Sequence, residues 1–252
     1  MMNLLISLLV LGLICGGALA GMAVRPLLSE HHLHTDTKDV VRLTAGLIGT
    51  LTALVLGLLI ASAKTTFDAK TDRIRHMTAT VILLDDLLMQ YGPEAIPLRK
   101  LLRQSISPMA DRIWHEQENS TGRPTRFEAS AEAWEFYSGL ERLSPNNDTQ
   151  RSLQSRALAA FTEGAQMRLQ LFTQVGRSIP TPFLVIMVFW LSAIFFSATL
   201  FARANRVVAL SLFVCAVSFA GAIFLVLEMD DPFAGLMGIS SSTLRNALSP
   251  LS

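Results

Sequence analysis

Four blocks of about twenty consecutive apolar residues, none containing Asp, Glu, Lys or Arg, punctuate this chain at residues 4–24, 43–63, 183–202 and 207–227. At ~1.5 Å of rise per residue, a helix of that length crosses the ~30 Å hydrocarbon core of a bilayer. Lipid offers no partner to backbone amides, so the blocks are expected to be helices rather than open strands. They fall into two tight pairs around a long polar insert. The pattern predicts an all-α integral membrane protein: a first transmembrane hairpin in residues 1–63, a helical extramembrane bundle in 64–180, and a second hairpin in 181–227. An amphipathic tail, 228–252, follows.

The second block is predicted to leave the membrane without a break. Beyond Lys64, apolar residues recur at Ile74, Met77, Val81, Leu84, Leu88 and Tyr91, a three-four spacing that continues one helical stripe until Gly92-Pro93 ends it. The insert then offers three more faces: Leu98, Leu102, Ile106, Met109 and Ile113; Phe127, Ala131, Trp134, Tyr137 and Leu140; and Leu153, Ala157, Ala160, Gly164, Met167, Leu171 and Val175. Pro93 suits a first helical turn, and Asp148 is expected to cap the last helix. No strand-like alternation of useful length occurs. A signal-peptide reading of the first block is disfavoured, because Met1-Met2-Asn3 has no basic residue and the apolar run is long.

Composition sharpens this picture in one respect. Of 252 residues, 51% are apolar and 16% charged, and the 21 basic residues nearly cancel the 20 acidic ones. No net field points to nucleic acid as a partner. The charges concentrate in the insert. Orientation is not encoded by charge: Lys64, Lys70, Arg73, Arg75, Arg168 and Arg177 flank the membrane on one side, and Arg25, Lys38, Arg42, Arg203 and Arg206 on the other. Cys15 and Cys215 both lie within apolar blocks, where buried small residues are expected rather than a disulfide framework or metal site.

Candidate chemistry is sparse. Gly46, Thr50, Ala53, Gly57 and Ala61 form a small-residue face on the second block, leading to Lys64 and Asp68. Small residues let helices approach closely in lipid, so this face reads first as helix packing and second as part of an oligomeric pore with Lys64 at its mouth. His31, His32 and His34, beside Glu30, Asp36 and Asp39, are candidates for proton or ion contacts, but no fixed ligand spacing supports a metal site. Glu228, Asp230 and Asp231 follow the fourth block, where a solvated carboxylate cap or a cation contact is expected; too few oxygens follow to complete a calcium site. No phosphate loop, nucleophile elbow, zinc-protease motif or intramembrane acid pair appears, so neither an enzyme nor a bound cofactor is expected.

Several segments together resemble a family of bacterial multi-pass membrane proteins described as bestrophin-like. They are residues 32–42 leading into the second block; Ala53-Leu-Val-Leu-Gly-Leu-Leu-Ile-Ala-Ser-Ala-Lys-Thr-Thr-Phe-Asp68; Leu84-Asp-Asp-Leu-Leu88 with Tyr91-Gly-Pro-Glu94; and Leu227-Glu-Met-Asp-Asp-Pro-Phe233. A more distant likeness to bestrophins themselves rests on the order of hairpins and insert, on Leu54-Val-Leu-Gly-Leu58, on Thr65-Thr66-Phe67-Asp68 and on Asp231-Pro232-Phe233. That likeness implies a homo-oligomer, a pentamer in bestrophins, conducting small anions across the cell (inner) membrane. It also implies a cytoplasmic insert and cytoplasmic termini. The neck residues it implies are Thr50, Leu54 and Leu58. The chain departs from bestrophins after Phe233, where Ala234-Gly-Leu-Met-Gly-Ile replaces an acidic calcium-binding run, so calcium gating is not implied. Two other classes remain open from the residues alone: a non-conducting membrane scaffold or stress-linked interaction protein, and an ion-driven stator-type unit, whose usual intramembrane acid is missing here.

Overall fold

The structure is a computed structural model and describes residues 2–27, 35–118, 131–173, 181–202, 205–230, 233 and 237–248. Among these residues it is all-helical. The elements are α1 (Met2–Val24), α2 (Thr35–Tyr91), α3 (Ile96–Glu118), α4 (Ala131–Arg142), α5 (Asp148–Thr173), α6 (Thr181–Phe201), α7 (Arg206–Asp230) and the single turn α8 (Ser242–Arg245). Helices α1, α2, α6 and α7 are each long and apolar enough to cross a bilayer. The chain divides into two compact units. One holds α1, α2 up to Phe67, α6 and α7; the other holds Asp68–Gly176 with most of the C-terminal tail.

In the first unit α1 packs along α6 more extensively than along α7, rather than simply forming a hairpin with α2. Its buried residues Val10, Ile14 and Ala18 step by four and meet Met187, Leu191 and Phe195, which step likewise along α6. From α7, Ala216, Ile223, Val226 and Leu227 join the cluster, and Phe195 and Phe219 meet edge to face with centroids 6.5 Å apart. Lipid tails are as apolar as leucine, so burial alone does not drive helices together there; close backbone approach does. Gly17 and Gly21 supply it. A Cβ on Gly17 would lie 2.7 Å from the Ser192 carbonyl oxygen, and one on Gly21 would collide with the Thr199 hydroxyl and the Phe196 carbonyl. The Asn3 amide donates to the Leu227 carbonyl (3.3 Å) and to Glu228 (3.2 Å), so α1 begins beside the end of α7. Both cysteines are free: Cys15 is half-buried, while Cys215 lies on the exposed surface of α7 instead of in the core.

The second unit is built on the far half of α2. Every residue of the predicted stripe from Ile74 to Tyr91 is buried. The helix stops at Tyr91 because Gly92 takes φ 121°, a left-handed conformation that a side chain disfavours, and Pro93–Ala95 form one 3-10 turn before α3. Leu98, Leu102, Ile106 and Ile113 of α3, and Leu153, Ala157, Ala160 and Leu171 of α5, close the core. Two details depart from expectation. The cap of α5 is Asn147, whose Oδ1 accepts the Gln150 amide at 2.7 Å, while Asp148 is already helical and pairs with Arg151. On α4 the buried pair is Phe136 and Leu140; Trp134 is 70% exposed, and Phe136, tilted against Phe161 with ring centroids 5.5 Å apart, takes the inward position. Phe127 and Val175 lie outside the described residues. The tail belongs to this core as well. Leu244 and Leu248 are buried in it, the Trp114 indole donates to the Ile239 carbonyl at 3.0 Å, and Arg245 pairs with Asp111.

Asp85 is fully buried and is the ionic centre of this unit. Arg99 donates to both of its oxygens, at 3.0 and 2.7 Å, and Arg103 adds a longer bond at 3.4 Å. Burial works against its ionisation, but the Arg99 and Arg103 guanidiniums outweigh that and hold the carboxyl below its usual range. The group binds protons more weakly folded than unfolded. Its contribution to stability is therefore complete above the ordinary carboxylate range and is lost as pH falls through the depressed folded value.

Two stability predictions follow from these contacts. Gly21→Leu should destabilise the first unit by about 1–3 kcal/mol or more, whereas Gly12→Leu, where a Cβ meets nothing within 4 Å, should leave it nearly unchanged; melting in detergent distinguishes them, and equal melting temperatures would remove Gly21 from the seam. Asp85→Asn should lower the stability of the helical unit by about 3–5 kcal/mol at neutral pH and flatten its acid-unfolding limb, as followed by circular dichroism between neutral and acid pH.

Candidate functional site

The membrane half of α2 carries most of the residues singled out by sequence. A residue advances about 100° around a helix at 3.6 residues per turn. Thr52, Leu56, Leu59 and Ala63 are its buried residues, and they share a single face. Leu56, Leu59 and Ala63 join the apolar cluster of the first unit. Thr50, Leu54 and Leu58 lie roughly half a turn from that face and point away from it. Leu54 is 71% and Leu58 66% exposed. Exposed Leu43 and Leu47 extend the same stripe backward at the same spacing; sequence reading missed them, although the three-four interval was there to follow.

Thr50 donates its hydroxyl to the Leu47 carbonyl at 2.8 Å, so it turns its methyl rather than its proton outward. The stripe is thus apolar over its whole length. Gly46, Ala53, Gly57 and Ala61 form a neighbouring arc, about a fifth of a turn from the leucines, and all four are exposed. A Cβ added at Gly46 or Gly57 would meet nothing within 4 Å. Among the described residues, then, nothing packs on this face at its two glycines. The seam that does use small residues within the chain is Gly17 and Gly21 on α1, which the sequence reading did not single out. Of the four apolar helices α2 is also the least covered: 11% of its apolar stretch is buried, against 22–28% for the others.

Lys64 ends the apolar stretch. It is exposed, and its Nζ lies 6.0 Å from the Phe67 ring centroid, at the outer limit of a cation–π contact. At the end of α7 the structure corrects one expectation. Glu228 and Asp230 are 4% and 5% exposed, not a solvated cap. A buried carboxylate needs a partner, and Asn3 supplies one to Glu228. His31, His32, His34 and Asp231 lie outside the described residues. Among the described residues no group of three or more His, Cys, Asp or Glu is placed to hold a metal ion.

These features were compared with known proteins. A model of the bestrophin-like domain matches residues 12–244. Crystal structures of a bacterial bestrophin homologue from Klebsiella pneumoniae, each carrying a point mutation, share the fold. One aligns with TM-score 0.67 at 13% identity, over 96% of this chain and 99% of that one. A second aligns with TM-score 0.64 at 14% identity, over 99% and 96%. At such identity the likeness is one of fold. No curated protein matches the chain in a sequence comparison. With its membrane helices, its α2 stripe and nearly all of its length accounted for by one domain model, the chain belongs to the bestrophin-like domain family.

Proposed function

We propose that this protein is a homo-oligomeric membrane channel for small anions, with α2 of each copy lining the conducting path. The observation that carries the reading is the outward stripe of Leu43, Leu47, Thr50, Leu54 and Leu58 on the least covered membrane helix. Exposed leucine alone fits lipid equally well. The adjoining arc of Gly46, Ala53, Gly57 and Ala61 adds the close-packing surface that neighbouring copies need. The bestrophin likeness supports five copies and a cytoplasmic insert and termini.

Around such an axis Leu54 and Leu58 form stacked rings. A leucine constriction is poorly wetted and resists ion entry until it widens. Lys64, six residues beyond Leu58 and so ~9 Å along the helix, places a positive ring near the end of the path and favours anions.

Three changes test the arrangement. Gly57→Leu should shift the protein toward smaller species in detergent by mass photometry; an unchanged oligomer would exclude that face from the interface. The Leu54→Ala, Leu58→Ala double variant should conduct more than the wild type in planar bilayers, and Lys64→Glu should move the reversal potential under asymmetric chloride toward cation selectivity. Currents at the empty-membrane baseline for wild type and both variants would replace the channel with a non-conducting scaffold.

A further inference from the structure

The second unit contains an open cavity of about 500 Å³ bounded by α2, α3, α4 and α5. Protein interiors are packed densely enough that a space of this size is not a packing fault, and its volume falls within the ~300–1,000 Å³ of small-molecule sites. The wall is largely apolar, with Met77, Met109, Trp134, Phe136, Tyr137 and Phe161 among its bulkiest members. Four hydroxyls also line it. Three donate to a carbonyl of their own helix: Thr80 to His76 at 3.0 Å, Ser105 to Leu102 at 2.8 Å and Thr162 to Leu158 at 2.8 Å. The fourth, on Tyr137, is hydrogen-bonded to Glu141. With these hydroxyls engaged, Gln166 is the one uncharged polar side chain left on a mainly apolar wall.

Charge enters through Arg112, Glu132 and Arg168, which together line the cavity with a formal excess of one positive charge. Arg112 donates to both Glu132 oxygens, at 3.2 and 3.1 Å. An apolar wall with a net basic contribution complements an apolar tail carrying one negative head. Gly164 of α5 borders the cavity. A Cβ there would make only an ordinary contact, 3.6 Å from Thr80 Cγ2, so alanine would leave the space nearly unchanged, whereas a larger side chain would intrude on it.

We infer that this cavity binds a single-chain amphiphile with an anionic head, of the fatty-acid carboxylate class, its tail against the aromatic wall and its head held by the arginines. The inference concerns the helical unit and stands whether or not α2 conducts. Full-length protein in zwitterionic nanodiscs is titrated with 11,12-dibromododecanoate, whose bromines quench nearby tryptophan. Wild type should show saturable quenching that Trp134→Phe largely removes. Gly164→Leu should abolish it by filling the cavity, while Gly164→Ala should retain it. Arg168→Gln should weaken binding about tenfold, the scale of one charge-assisted hydrogen bond, and dibromododecanol should bind correspondingly less well than the carboxylate. Absence of saturable quenching in wild type overturns the proposal, as does equal quenching in a Gly164→Leu protein that elutes and melts like wild type. Should that variant misfold, equal affinity for the alcohol and the carboxylate, or an unchanged affinity in Arg168→Gln, overturns it instead.

Discussion

Close backbone approach between α1 and α6 is the constraint on which the membrane half of this molecule depends. In hydrocarbon, an exposed leucine costs nothing, so the arrangement of helices is decided by where side chains are small enough for main chains to touch. Gly17 and Gly21 meet α6 at Ser192, Phe196 and Thr199, and that seam makes α1 the shared partner of α6 and α7. What remains for α2 is a narrow contact through Leu56, Leu59 and Ala63. Its leucine stripe and its glycine arc are left uncovered as a result, and those are the surfaces from which an assembly could be built.

The helical unit is organised by a different rule. Its core is one cluster of buried apolar side chains, and orienting α3 on α2 takes a charged group out of solvent. Asp85 meets that requirement only because Arg99 grips both of its oxygens and Arg103 stands beside them. Gly92 then provides a left-handed residue that lets α3 fold back toward α2. The tail completes the core with Leu244 and Leu248 and secures Trp114 through its indole hydrogen bond.

Periodicity made much of this legible. The stripe from Ile74 to Tyr91, its end at Gly92, and the four membrane-length helices all follow from spacing and length, because burial in a helix repeats at three and four residues whatever the partner is. Partner identity is what spacing does not encode. A small-residue face reads the same on α1 and on α2, yet Gly17 and Gly21 pack within the chain while Gly46 and Gly57 meet nothing in it. Glu228 and Asp230 look like a solvated end in sequence, yet both are buried, and Glu228 meets Asn3 from the remote start of α1. Trp134 was placed inward by its spacing, but Phe136 found the better aromatic neighbour in Phe161. On α2, Thr50, Leu54 and Leu58 lie on one outward stripe with Leu43 and Leu47, while Lys64 stands off it toward the glycine arc.

The length of α2 has a mechanical side. Its 57 residues run from Thr35 to Tyr91 as one α-helix, ~85 Å at ~1.5 Å per residue, with no proline to break it. Such a helix is held in azimuth along both halves, by Leu56, Leu59 and Ala63 in the first unit and by the stripe from Ile74 to Tyr91 in the second. Its leucines and its glycines stand about a fifth of a turn apart, at the same heights along the axis. Which of the two arcs α2 turns toward a neighbour is therefore a matter of azimuth, and the packing of the far half takes part in setting it.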